Sequence, residues 1–128
     1  MTWFDGYHSS VANMWGAEAA RHVAASQTAA VDWVEAVCAE EGIDADFRRV
    51  DGFLYPLEPA AVKELREELG AARAAGVADV ELVDLCGGAD VGGVREALRF
   101  PRNAEFHPLK GAPLHARLFM LSLPSSLT

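Results

Sequence analysis

The chain has 128 residues, with 11 basic and 19 acidic side chains for a formal charge of -8, and 51% of it is hydrophobic. That composition predicts one folded domain of radius about 14 Å and argues against disorder throughout. A pI near 4.8 without a block of Lys or Arg gives no electrostatic footprint for a nucleic-acid backbone. The longest apolar runs, such as Leu118 to Leu121, fall far short of the ~20 residues a membrane helix needs. No secretory leader is legible at the N-terminus, so a cytoplasmic protein is expected, without membrane or nucleic-acid partners. Cys38 and Cys86 form no CxxC and have no His at ligand spacing, and His8, His22, His107 and His115 are scattered. A zinc site, an HExxH helix and a facial triad are therefore not expected, and no metal ligand is assigned.

In chain order, Ser9 and Ser10 can cap a short helix over 10–15, and Gly16 breaks it from a long helix over 17–41. Along the second helix Ala20, Val23, Ala24, Thr28, Val31, Val34, Val37 and Cys38 recur at three- and four-residue steps, so one stripe faces a core. Gly42 is a natural stop, because glycine takes the left-handed conformation without a Cβ penalty. Trp15 and Trp33, on these helices, are expected in the core.

Phe47 to Tyr55 then reads as a strand, with a bend at Gly52, and Phe53 is as well placed for the core as for a site. Pro59 suits the first turn of a helix over 59–75. Val62, Leu65, Leu69 and Ala72 form its buried side, with Lys63, Glu64, Arg66, Glu67 and Glu68 on the solvated one, and Gly76 ends it. Strands are expected near 80–84 and 95–100, the second ending before Pro101. The glycine doublets Gly87–Gly88 and Gly92–Gly93 lack the i, i+2, i+5 spacing of a dinucleotide fingerprint and read as a surface loop. The acidic cluster Glu40, Glu41, Asp44 and Asp46 lacks the order of a calcium loop and reads as a solvated helix end. The resulting fold class is α+β: N-terminal helices, then a small, mainly antiparallel sheet with one packed helix.

Four segments in order, Phe4-Asp5-Gly6-Tyr7-His8, Gly16–Arg21, Ala29–Glu35 and Glu41–Tyr55, followed by Ala97-Leu98-Arg99-Phe100-Pro101 and Glu105–Lys110, resemble the middle of FAD-dependent oxidoreductases of the D-amino-acid-oxidase type. The similarity is closest to bacterial members that often carry a C-terminal Rieske domain. It covers residues 4–110, and 111–128 form a divergent apolar tail. The resemblance implies a partial substrate domain whose sheet roofs the flavin on one face. It also makes Tyr55, Arg99 and His107 the candidate substrate-facing residues: Tyr55 to orient an amine or carboxylate, Arg99 to clamp a carboxylate. The plainer roles are a surface ion pair of Arg99 with Glu96 or Glu105, and capping or packing by His107 before Pro108. The chain has no GxGxxG unit and no Cys/His pairs for an iron–sulfur cluster. It is therefore expected to bind no FAD alone, and to act with the flavin-binding remainder of an enzyme or to self-associate through an uncovered apolar face. The alternative is a free-standing α+β interaction module without redox chemistry. A stand-alone enzyme lacks a nucleophile–base pair at workable spacing.

Overall fold

Gly16, at φ +90°, divides the N-terminal region into two helices, because a backbone in that conformation cannot continue the right-handed turn. The computed structural model describes residues 7–56, 61–85, 95–107 and 110. The predicted glycine loop and apolar tail, together with Pro59, Cys86 and His115, lie outside them. Helix α1 spans His8–Trp15 and α2 spans Ala17–Glu40. Ala20, Ala24, Val31, Val37 and Cys38 are the buried residues of α2, on the predicted stripe. α2 closes at Gly42 (φ +63°), where the Ile43 N–H bonds back to the Cys38 carbonyl at 2.9 Å. That six-to-one bond satisfies a carbonyl the helix end would otherwise leave open.

Strand β1 (Arg48–Leu54) leads into α3 (Val62–Ala74), followed by β2 (Glu81–Asp84) and β3 (Glu96–Glu105). α3 ends in a complete Schellman motif at Gly76 (φ +99°): Val77 N–H bonds to the Ala72 carbonyl and Gly76 N–H to that of Arg73. The sheet is antiparallel, as expected from sequence, and its strand order is β1-β3-β2. One core joins Leu54, Leu98 and Phe100 of the sheet to Leu65 and Ala72 of α3 and to Val80, with Leu69, Val77 and Leu82 around it. Each large side chain so buried contributes about 1.5–3 kcal/mol. A second cluster packs Val11 of α1 on Ala20 and Ala24 of α2 and reaches Ala75 after α3.

Several expectations are corrected. α1 begins at His8, ahead of the predicted start, and no side chain of its own caps it. Trp15 is exposed rather than core, whereas Trp33 packs beside Val37, Cys38 and Ala45. Phe53, left open between core and site by the sequence, is exposed on the sheet face opposite α3. Glu68, assigned to the solvated side of α3, is fully buried.

β3 continues five residues past its predicted end, through Pro101 in the central strand. The register explains how: Val50 pairs with Asn103 and Gly52 with Phe100, so Pro101 and Arg102 together oppose Asp51. This bulge, with Arg102 at φ +61°, relieves proline of a ladder hydrogen bond it cannot donate. The irregularity expected at Gly52 therefore belongs to the partner strand. Gly52 is required for a different reason, since a Cβ there would come within 2.6 Å of Asn103 Nδ2. That buried amide donates to the Phe100 carbonyl at 2.9 Å and cannot swing away without breaking the bond. Gly52→Ala is expected to lower stability by about 1–3 kcal/mol, read as a fall in the urea midpoint at unchanged slope.

Candidate functional site

Glu68 lies one turn from both Leu65 and Ala72, so the helical repeat carries its carboxylate into the core side of α3. There it meets the start of α1. Oε1 accepts the His8 backbone N–H at 2.7 Å and His8 Nδ1 at 2.8 Å, and Oε2 accepts the Ser9 N–H at 2.9 Å. A carboxylate sixty positions away in sequence thus performs the N-cap duty expected of Ser9 or Ser10, and its negative charge faces the positive end of the α1 dipole. Burial pushes the Glu68 carboxyl up. The hydrogen bonds from the His8 ring and from the Ser9 and His8 backbone outweigh it, and hold the group below its ordinary value. Nδ1 carries the proton in this arrangement, because an ionised carboxylate only accepts. The His8 ring stacks on Phe100, with centroids 6.3 Å apart and planes 15° from parallel, and its buried Nε2 has no hydrogen-bond partner among the described residues.

Beside this pair lies a cleft of about 330 Å³ between the end of β1 and the start of α3. Tyr7 and Tyr55 border it, Leu54, Pro56, Ala61 and Leu65 supply its apolar lining, and Glu64 and Glu68 are its carboxylates. Both tyrosines are about two-fifths exposed, so Tyr55 is an accessible group in a concave site.

The three candidate residues do not converge. Arg99 is opposite Phe53 on β1 and Glu81 on β2. Its guanidinium binds the carboxylates of Asp51, at 3.2 Å, and Glu81, while its Nε has no acceptor among the described residues. The expected partners are taken by other cations: Glu96 by Arg66 at 2.9 Å, and Glu105 by Arg48. His107 follows the far end of β3, which pairs with Arg48, whereas Tyr55 follows the end of β1 that pairs with Leu98. At ~3.3 Å per residue the length of the sheet separates them. The His107 N–H bonds to the Ala45 carbonyl at 2.7 Å, and its Nδ1 accepts the Lys110 N–H at 3.4 Å. Lys110 in turn pairs with Asp46 at 2.7 Å, which holds the Asp46 carboxyl below its usual value. His107 thus has local bonds of the capping kind.

At the start of α1 the His8 and Ser9 amides are taken by Glu68, and Arg48, Arg49, Arg66, Arg99, Arg102 and Lys110 are paired with carboxylates of the same chain, so none of these groups is free to hold a flavin diphosphate. Among the described residues no group of three His, Cys, Asp or Glu could hold a metal ion, and no helix is long and apolar enough to cross a membrane.

Sequence reasoning named Tyr55 but missed His8 and Glu68. The available signal was the Leu65, Glu68, Ala72 spacing, which puts a charged residue on an apolar stripe and asks for a buried partner. Comparisons with protein-family models, curated proteins and solved structures return no match.

Proposed function

We propose that this chain forms the substrate-side part of an FAD-dependent oxidoreductase of the D-amino-acid-oxidase type, cytoplasmic, acting on an amine or amino acid with flavin held by a separate flavin-binding part. The observation that carries this reading is the form of the sheet. α3 and its core cover one face, and the opposite face presents Phe53 as an exposed aromatic, while Arg49 on that face is held by Asp32 and Glu35 of α2. A sheet face that carries an exposed aromatic is suited to roof a planar cofactor.

In this reading the diphosphate is held by the partner. The expected result is colourless protein when the chain is purified alone and supplied with FAD. Yellow protein with amine-dependent dye reduction is expected once it is assembled with the dinucleotide-binding part of such an enzyme. Stoichiometric flavin on the chain alone would overturn the division of labour. Failure to assemble would favour the second reading, a free-standing interaction module. That reading has one observation in its favour: Arg99, the candidate carboxylate clamp, is already occupied by Asp51 and Glu81.

A further inference from the structure

We infer that the cleft between β1 and α3 is a binding site for a small organic cation, an alkylammonium with a short apolar arm. The inference concerns the cleft alone and stands whether or not a flavin partner exists. Its basis is the unequal chemistry of the lining. The cleft contains no Lys, Arg or His among its described lining residues, two phenol rings, and an apolar surface from Leu54, Leu65, Ala61 and Pro56. Of its two carboxylates, Glu68 is saturated by His8 and Ser9. Glu64 is exposed on the first turn of α3, and no described residue forms an ion pair or hydrogen bond with its side chain. The sheet's own carboxylates Asp51, Glu81, Glu96 and Glu105 are paired with arginines, whereas Glu64, at the mouth of a concave apolar site, keeps its charge open to a ligand.

Each element selects the same ligand. Aromatic faces carry a negative quadrupole that attracts an ammonium group but gives nothing comparable to an anion. A carboxylate adds a charge-assisted hydrogen bond. The apolar lining accommodates a few methylenes, and a cleft of about 330 Å³ is of a size that takes a small ligand. An anion would meet Glu64 with no cation among the described lining residues to offset it. A neutral alcohol of the same shape would gain only the apolar contact.

Amide chemical-shift titration of the full chain tests this with four probes: butylammonium, tetramethylammonium, butanol and butyrate. Butylammonium should shift Tyr7, Tyr55, Ala61, Glu64 and Leu65 saturably, and bind about tenfold more tightly than butanol, the difference expected of one charge-assisted contact. Tetramethylammonium separates the two attractions, because it keeps the ring contact and cannot donate a hydrogen bond; it should bind between the two. Butyrate should not bind. Glu64→Gln, at an exposed position that leaves the fold intact, should weaken butylammonium about tenfold and leave butanol unchanged. Tyr55→Phe should bind within about twofold of the parent and Tyr55→Ala several-fold less, since the ring face and not the hydroxyl provides the attraction. Equal affinity for butylammonium and butanol, no response to Glu64→Gln, or shifts confined to residues outside the cleft would each overturn the assignment. None of these outcomes depends on flavin, so a failure here is distinct from a failure of the oxidoreductase reading.

Discussion

Glu68→Ala should lower the unfolding free energy by about 3–5 kcal/mol, because it strips a buried charge from partners that have no other acceptor. The His8 and Ser9 N–H groups and the His8 ring would be left with unanswered donors at the start of α1, and α1 would lose its tertiary cap. Glu68→Gln should cost less, about 2 kcal/mol, since one oxygen still accepts while the amide NH2 faces another donor. Urea denaturation followed by circular dichroism measures both, and a loss below 1 kcal/mol for the alanine variant would show that the cap is dispensable. The same bond set gives a pH dependence of definite sign. The folded carboxyl lies below its ordinary value of 4.5, so its contribution is fully present above about pH 4.5. It should fade as pH falls below that, through the lowered folded value, and the fading should be absent in Glu68→Gln.

Phe100→Ala should be comparably damaging, at about 3–5 kcal/mol. Phe100 is fully buried in the middle strand, and its removal opens a cavity that Leu54, Leu65 and Leu98 are held too firmly by the sheet and α3 to fill. It also removes the ring on which His8 stacks. The double variant with Glu68→Ala should therefore lose less than the sum of the two single losses, because both act on the placement of His8. Thermal unfolding of the four proteins in that cycle gives the coupling directly. Additive losses would mean that the stack does nothing for the cap.

Much of the architecture could be read along the chain, and the parts that could are local. The division at Gly16, the stops at Gly42 and Gly76 and the buried stripe of α2 follow from glycine's freedom at positive φ and from the 3.6-residue repeat. β1 and β2 emerged within one or two residues of their expected bounds because aromatic and β-branched runs closed off by proline and turn residues are local signals too. The end of β3 did not, because proline in a central strand is excluded unless the strand is bulged, and the bulge depends on register with β1.

The site divides along the same line. Tyr55 was legible as an aromatic at a strand end, yet its neighbours in the cleft come from α3 and from the residue before α1. Arg99 and His107 were legible as chemistry-bearing types. Whether they face a ligand depends on Asp51, Glu81 and Ala45, residues distant in the chain. The α+β class, the helix stops at Gly16, Gly42 and Gly76 and the acidic character follow from neighbouring residues or from summed charge. That Glu68 caps α1, that Trp15 is outside and that Arg99 is already paired emerges only on folding. Those outcomes rest on which distant groups reach hydrogen-bonding distance, and the energies that select them, for a buried charge above all, exist only once the chain has excluded water around the pair.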